Sequence, residues 1–230
     1  MIVVIIPALN EEEVIGDVVR SIPMLADRII VVDNDSTDRT TERAAEAGAI
    51  IVAQPVRGYG RACRAGMNAA IAAGADIIVF IDGDGSDCPE FLGALVTPIV
   101  QGEYDFFIGS RIRGKREPGS LTLQQIVAGR LAGWMLQVCY GVQFTDMSPF
   151  RAIRRSVLET ISMREETYGW NLEMQMMVAR AKVRILEIPV NHRRRQGGVS
   201  KVSGTVIAGI RIVWTFLRVA FSPSRRLNNS

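Results

Sequence analysis

The sequence has few of the residues and motifs that mark several common protein classes. Its three cysteines, Cys63, Cys88 and Cys139, are odd in number and widely spaced, which fits neither a disulfide framework nor a zinc site. The single histidine, His192, has no partner evident in the sequence, so we expect it to be structural. The first residues lack the basic segment and cleavage site of a signal peptide. These absences favour a protein of the reducing cytoplasm.

Two phosphate-binding motifs are also missing. None of the expected strand ends carries the G-x-G-x-x-G pattern of a dinucleotide fold or the G-K-[ST] of a P-loop. The chain does have 48% hydrophobic residues, which is enough for a core and unlike a disordered protein. Its 230 residues fit one domain, or one domain with a short appendage.

The first hundred residues alternate apolar runs with stretches of helical composition. The runs hold Ile, Val and Ala with almost no polar alternation, which is typical of strands buried on both faces of a parallel sheet. The sequence therefore predicts an α/β fold, with a mostly parallel sheet flanked by helices. The predicted strands are 2–6, 28–32, 49–53 and 76–81, then 105–109 and 183–190; the predicted helices are 11–21, 37–47, 60–73 and 124–140, the second capped by Ser36 or Thr37.

Carboxylates follow three of the first four predicted strands, where a parallel sheet binds its ligands. In extended chain, residues i and i+2 face one side, so Asp82 and Asp84 are expected to face one site, with Gly83 leaving space for a ligand. Two carboxylates so close would repel without a cation, and oxygen ligands suit Mg²⁺ or Mn²⁺ bridged to substrate phosphates. The alternative is a simple Asp-Gly turn.

Asp33 and Asn34 follow the second predicted strand. The Asp33 carboxylate can accept from a base N–H or a ribose hydroxyl, but alone it does not distinguish uracil from guanine. The alternative is an Asx-turn or helix cap, for which Asp35 and Ser36 are better placed. Glu11 is equally suited to meeting a ribose and to complementing the dipole of the first helix.

Five motifs, each weak alone, occur in a characteristic order: Pro7-Ala8-Leu9-Asn10-Glu11-Glu12, Val32-Asp33-Asn34-Asp35-Ser36-Thr37-Asp38, Asp82-Gly83-Asp84, Gly109-Ser110-Arg111 and Arg195-Gln196-Gly197-Gly198-Val199-Ser200-Lys201. In order and spacing they resemble family 2 glycosyltransferases, and the last resembles the dolichyl-phosphate mannose synthase branch. The resemblance covers about residues 2–203, so we expect a catalytic domain at 1–203. It implies a GT-A fold and inverting transfer from a UDP- or GDP-sugar.

The resemblance also implies roles for individual residues. It places a metal and the donor diphosphate at Asp82 and Asp84, and makes Asp84 catalytic in holding the leaving group. The residues implied around the nucleoside are Pro7, Leu9, Glu11, Val32 and Asn34, and those implied at phosphates are Arg111, Arg195 and Lys201. Asn34 departs from the second Asp that is frequent in the branch, and Ser86 stands where some relatives have a Gln metal ligand, for which Asp87 is a candidate substitute.

The segment 144–151 resembles the acceptor-side Asp-x-x-Ser-x-Phe-Arg pattern of the family and makes Asp146 the second expected catalytic residue. An alcohol acceptor needs a base, and Asp146 is the candidate. A monophosphate acceptor, with a second pKa of ~6, is already largely dianionic at neutral pH, and Asp146 would then orient or stabilise. A helix cap before Ile153 is the structural alternative, and Glu173 is a second carboxylate candidate.

The C-terminal part of the chain is strongly basic. From Asn191 to Ser230 there are eight Arg and Lys residues and no acid, which suggests an anionic partner. The loop 193–201 has two glycines and four cations, and we expect it to close over a diphosphate like a lid.

For 204–230 we expect a basic amphipathic helix and tail on an anionic membrane surface. The apolar stretch 205–221 is interrupted by Arg211 and Arg218, and it is too short to span a bilayer. The alternatives are a solvated tail, packing on its own domain, or a dimer interface.

The leading hypothesis is metal-dependent transfer of a hexose from a UDP- or GDP-sugar to an anionic acceptor such as a polyprenyl phosphate, at the cytoplasmic membrane face. Transfer to a soluble acceptor is the alternative. A nucleotidyltransferase would need a Gly-rich basic loop after the first strand, which is absent. A non-enzymatic membrane- or nucleic-acid-binding module fits the basic tail, but the acidic strand ends would repel a polyanion, so no nucleic-acid partner is expected.

Overall fold

The computed structural model describes residues 1–197. Lys201 and the expected helix and tail at 204–230 lie outside this range, as does the expected domain boundary at residue 203. Seven strands lie within it: β1 Ile2–Ala8, β2 Arg28–Asp33, β3 Ile50–Ala53, β4 Ile77–Phe80, β5 Phe106–Ser110, β6 Arg151–Arg154 and β7 Ile185–Pro189. They form one sheet in the order β3-β2-β1-β4-β6-β5-β7.

The sheet is mostly parallel, as the sequence predicts. β1 pairs in parallel with β2 and β4, β2 with β3, and β5 with β7, whereas β6 runs antiparallel to both β4 and β5. Parallel neighbours end at the same edge, so the segments after β1, β2 and β4 meet there.

Helices cover both faces of the sheet. The described part of the chain contains α1 Ile15–Ser21, α2 Thr40–Glu46, α3 Tyr59–Ala72, α4 Leu92–Val100, α5 Leu123–Tyr140, α6 Arg155–Thr160 and α7 Trp170–Arg180. Alternate residues of β1 point to opposite faces. Val3 and Ile5 join one core with α3, α5, α6 and α7, and Val4 and Ile6 join the other with α1, α2 and α4. No helix within residues 1–197 is both long and apolar enough to cross a bilayer.

The first two helices begin later than predicted. α1 begins at Ile15 rather than residue 11, because the Glu11 carbonyl closes a turn by accepting from the N–H groups of Val14 and Ile15. α2 begins at Thr40 after Arg39, which makes no side-chain cap bond, so the predicted cap at Ser36 or Thr37 is wrong.

Candidate functional site

The loops after β1 and β2 are joined at the carboxyl edge of the sheet. The Asn10 N–H donates to Ser36 Oγ at 3.0 Å, and the Thr37 N–H donates to Asn10 Oδ1 at 2.8 Å. The Glu11 N–H donates to Thr40 Oγ1 at 2.8 Å. Polar residues that the sequence assigned to helix caps therefore fasten two strand ends together, which fixes the position of Glu11.

Arg195 brings two of the predicted site residues together. Its Nη1 lies 2.7 Å from Glu11 Oε1, and its Nη2 lies 2.9 Å from Asp84 Oδ2. Glu11 and Asp84 are both buried, and Arg195 is about a quarter exposed. The start of the basic loop is thus seated on the carboxylates at the ends of β1 and β4.

The Asp82-Gly83-Asp84 segment forms a turn rather than extended chain. Asp82 Oδ1 accepts from the Tyr59 hydroxyl at 3.1 Å, and Asp84 Oδ1 accepts from the N–H and Oγ of Ser86 at 2.9 and 2.6 Å. The expectation that pleating alone aligns the two carboxylates is therefore wrong. A Cβ on Gly83 would lie 3.2 Å from the Pro7 carbonyl oxygen, so this glycine lets the turn pack against β1 rather than leaving space for a ligand.

Three carboxylates crowd this turn. Burial, followed by the negative charges of Asp87 and Asp84, raises the pKa of Asp82 well above its ordinary value. Burial raises the pKa of Asp87 to about 7. Asp87 Oδ2 accepts from the Asp82 N–H at 3.0 Å, and its other oxygen is buried without a hydrogen-bond partner in the described structure. A cation beside these carboxylates would lower the free-energy cost of burying their negative charges and would reduce the repulsion between them.

The donor set fits Mg²⁺ or Mn²⁺. Within residues 1–197 no three or more His, Cys, Asp and Glu side chains are arranged as a complete metal cage. Mg²⁺ does not require one, because it typically takes one or two carboxylates and completes its shell with water and substrate phosphates. Asp82 and Asp84 can supply those carboxylates.

Asp33 and Asn34 both contact backbone in this structure. Asp33 Oδ1 accepts from the Ser36 N–H, three residues along the chain, at 3.2 Å, so the local bond from side chain to backbone in this loop is made by Asp33 and not by Asp35. Asp35 instead forms an ion pair with Arg57 at 3.0 Å.

Asn34 fixes the loop that leads into α3. Its Nδ2 donates to the carbonyls of Gln54 and Val56 at 3.0 Å each, and its Oδ1 accepts from the Gly58 N–H at 2.8 Å. The side chain is 5% exposed. These bonds engage both ends of the amide, so Asn34 acts here as a brace.

The remaining residues expected near the nucleoside differ in exposure. Pro7 and Val32 are register partners at the carboxyl ends of β1 and β2. Val32 is fully buried in the core that contains α3, so its side chain does not line the site, whereas Pro7 and Leu9 are partly exposed.

Buried Asp146 forms a two-point ion pair with partly buried Arg111. Arg111 Nε and Nη2 each lie 2.8 Å from an Asp146 oxygen, and the Arg111 and Met147 N–H groups donate to the same carboxylate at 2.9 and 2.7 Å. Burial alone would raise the pKa of Asp146, but the Arg111 charge and these hydrogen bonds lower it below its ordinary value. Asp146 is therefore held as a carboxylate whose oxygens are engaged.

Several residues at the site were not identified from the sequence. Glu187 on β7 accepts from the N–H groups of Thr145 and Asp146 at 3.0 and 3.2 Å, and Gln175 Nε2 donates to the Asp146 carbonyl at 2.8 Å. A glutamate within the apolar strand Ile185–Pro189 was the available signal. For Tyr59 the signal was its place between Gly58 and Gly60.

Glu173 and His192 have structural positions. Glu173 Oε2 accepts from the N–H groups of Arg164 and Glu165 at 2.9 and 2.6 Å, so it braces the turn before α7, contrary to the acceptor-side hypothesis. His192 is buried with Nδ1 3.8 Å from Asp87 Oδ1, too far for a hydrogen bond. Burial and the nearby Arg111 charge lower the pKa of His192 to about 4, so it is neutral at pH 7.

Comparison with known proteins identifies the family of this chain. The profile of glycosyl transferase family 2 matches residues 3–162. An uncharacterised glycosyltransferase of Mycobacterium tuberculosis is 34% identical over 95% of this chain and 97% of its own. The polyprenol monophosphomannose synthase of Mycolicibacterium smegmatis is 31% identical over 89% of this chain and 82% of its own. The undecaprenyl-phosphate mannosyltransferase of Micrococcus luteus is 30% identical over 90% and 89%.

A solved structure of similar fold carries a donor and a metal. The glucosyl-3-phosphoglycerate synthase of Mycobacterium tuberculosis, in complex with Mn²⁺, UDP-glucose and glycerol 3-phosphate, has a TM-score of 0.69 and 25% identity over 98% of this chain and 82% of its own. The same synthase with Mg²⁺ and UDP has a TM-score of 0.72. With the sheet and the profile match, these likenesses show that the fold is GT-A and that the chain is a glycosyltransferase of family 2, in the dolichyl-phosphate mannose synthase-like branch.

Proposed function

We propose that this enzyme transfers a hexose from a UDP- or GDP-sugar to the phosphate of a polyprenyl phosphate, with inversion and with Mg²⁺ or Mn²⁺. The observation on which the proposal rests most is the Asp146–Arg111 pair. A carboxylate with a lowered pKa and both oxygens engaged is a poor proton acceptor. An acceptor that arrives already ionised needs no such base, and a phosphate monoester is one.

On the donor side, Asp82 and Asp84 would hold the metal against the diphosphate. The metal supplies charge neutralisation for the leaving nucleoside diphosphate. The ribose lies near Glu11 in this account, and Pro7, Leu9 and Asp33 border the base. Arg195 is placed to move from the Asp84 carboxylate to a donor phosphate, and Lys201 is assigned to the same phosphates.

On the acceptor side, the phosphate lies beside Arg111, with Asp146 fixing the guanidinium in one orientation. An acceptor phosphate oxygen attacks the anomeric carbon from the face opposite the diphosphate. The new carbon–oxygen bond forms as the bond to the β-phosphate breaks, and the leaving diphosphate takes the bonding electron pair. No proton has to be removed from the acceptor, which agrees with the low basicity of the Asp146 carboxylate.

The names of two relatives support this acceptor class, since one is a synthase of polyprenol monophosphomannose and the other is a mannosyltransferase named for undecaprenyl phosphate. A soluble phosphorylated acceptor is the second candidate, because the solved synthase of similar fold carries glycerol 3-phosphate. The domain limit at residue 203 and the membrane role of 204–230 belong to the same proposal.

The proposal is tested with a panel of radiolabelled UDP- and GDP-sugars against four acceptors. These are a polyprenyl phosphate, the matching polyprenol, glycerol 3-phosphate and 3-phosphoglycerate, each with Mn²⁺ and with EDTA. We expect metal-dependent product on the polyprenyl phosphate and none on the polyprenol. Product on a soluble phosphate alone would favour the second candidate, and equal product on the alcohol would refute the role given to Asp146.

A further inference from the structure

The outer face of α5 carries an aligned set of exposed apolar side chains. Leu123, Val127, Leu131, Trp134 and Val138 are all exposed, from 42% at Leu131 to 75% at Leu123. At about 100° per residue they fall within an arc of about 80°, over a length of about 22 Å. Scattered exposed apolar residues are ordinary on a protein surface, but a continuous stripe indicates an interaction surface.

The opposite face of α5 packs on the acceptor-side segment. A Cβ on Gly133 would lie 1.9 Å from the Phe144 carbonyl oxygen, and one on Gly129 would lie 3.6 Å from the Asp146 Cα. The two glycines let the helix press directly against the chain that holds Asp146. Because a helix is about 10 Å across, the outer stripe lies roughly one helix diameter from that carboxylate.

The charged residues that adjoin the stripe along the chain are mostly positive. Arg130 is the one charged residue of α5, it is exposed, and it flanks the stripe. No acidic residue occurs between Glu117 and Asp146. The loop before α5 exposes Lys115 and Arg116, and its Glu117 accepts from the Arg194 N–H at 2.7 Å.

We propose that the α5 stripe docks this enzyme on an anionic phospholipid surface. Apolar side chains with a central tryptophan, flanked by arginine and lysine, suit a helix lying in the interface plane. This inference rests on the proposed lipid-phosphate acceptor: the phosphate of such a lipid lies at the bilayer surface, and a helix embedded there presents it to Arg111 and Asp146 across one helix diameter.

The first test measures co-sedimentation with vesicles of phosphatidylglycerol and phosphatidylcholine, without donor or acceptor. The variant Leu131→Gln/Trp134→Gln removes two stripe residues. Its matched control is Met24→Gln/Val100→Gln, which removes two apolar side chains that are 102% and 61% exposed elsewhere. We expect the stripe variant to lose at least about tenfold in vesicle partitioning and the control to stay within about twofold. Equal partitioning of the three proteins overturns the proposal.

Tryptophan fluorescence then identifies what covers the stripe. In a Trp214→Phe background the emitters are Trp134 and the fully buried Trp170, so changes report Trp134. We expect a blue shift and quenching by brominated lipid when vesicles are added. If Trp134 is already protected from acrylamide quenching before vesicles are added, the proposal is contradicted. Protection at every protein concentration would mean that residues 198–230 cover the stripe. Protection only at high protein concentration would mean that a second copy of the chain covers it.

Transfer assays separate this inference from the proposed function. Transfer to a long-chain polyprenyl phosphate in vesicles should fall about tenfold in the stripe variant, while transfer to a short-chain, water-soluble analogue stays unchanged. An equal loss on both acceptors contradicts a docking role. Vesicle binding through the stripe with no transfer to any phosphate acceptor would establish the surface and refute the acceptor assignment.

Discussion

Arg195 Nη2 lies 2.9 Å from Asp84 Oδ2, so a carboxylate expected to bind a metal is paired with an arginine of the basic loop. The same guanidinium contacts Glu11. Its positive charge therefore lies between the negatively charged carboxylates of Glu11 and Asp84, and offsets their charge in the described structure. A divalent ion at Asp84 must therefore compete with Arg195 for one oxygen.

Replacing Arg195 with methionine should change the affinities of the protein for Mn²⁺ and for the nucleotide sugar in opposite directions. Affinity for Mn²⁺ alone should rise, by about tenfold if the pair contributes a typical charge-assisted hydrogen bond. Affinity for the nucleotide sugar with Mn²⁺ should fall, because a phosphate contact is lost. Calorimetric titration measures both. Arg193→Met is the control, since Arg193 pairs with exposed Glu90 at 2.9 Å, and an unchanged Mn²⁺ affinity in Arg195→Met would show that no competition occurs.

Asn34→Asp should destabilise the protein. The new carboxylate would face the carbonyls of Gln54 and Val56 in place of an amide donor. Leaving those groups unsatisfied should lower the free energy of unfolding by about 2 kcal/mol in urea denaturation. Asp35→Asn, at the exposed neighbour, should change it by less than about 0.5 kcal/mol. A fully stable Asn34→Asp protein would mean that the amide does not brace the loop.

The contrast between β1 and Asn34 illustrates what the sequence could predict. The apolar runs predicted the strands, because a strand buried on both faces of a sheet consists almost entirely of apolar residues. The carboxyl ends of those strands predicted the edge of the sheet at which Asp82, Asp33 and Glu11 lie. The partners of those side chains depend on contacts between distant segments, such as Arg195 with Glu11 or Glu187 with Thr145. The late start of α1 and the turn at Asp82 have local causes instead: a turn closed by the Glu11 carbonyl precedes α1, and Asp82-Gly83 forms the Asp-Gly turn that was the alternative to a pleated segment.

Tyr59→Phe should weaken metal-dependent donor binding without unfolding the protein. Burial and the Asp82 charge raise the pKa of Tyr59, so its hydroxyl stays protonated and donates to Asp82 Oδ1. Loss of one hydrogen bond of about 1 kcal/mol corresponds to about fivefold weaker binding. Tyr168→Phe is the matched control, because Tyr168 stacks beside Tyr59 with ring centroids 6.4 Å apart. Equal donor affinities in the two variants would remove Tyr59 from the site.

Asp146→Asn should destabilise the fold in a pH-dependent way. The pKa of Asp146 lies below its ordinary value of 3.8, so its pair with Arg111 stabilises the protein above that pH and less as the carboxylate protonates. At pH 7 we expect the free energy of unfolding of Asp146→Asn to be about 3 kcal/mol below that of the wild type. This difference should become smaller as the pH falls below 3.8. Asp17→Asn, at a surface pair with Arg20, is the control. A difference that does not change with pH would exclude this ion pair as its source.

Calorimetric binding of UDP and GDP with Mn²⁺ tests whether Asp82 and Asp84 hold a divalent ion against the donor diphosphate. Wild-type protein, Asp84→Asn and the control Asp17→Asn, which alters a surface pair with Arg20, should all give the same folded circular dichroism spectrum. We expect EDTA to abolish nucleotide binding by the wild type, and Asp84→Asn to weaken that binding at least about 100-fold. Nucleotide binding that persists in EDTA, or equal affinities in Asp84→Asn and wild type, would contradict this assignment.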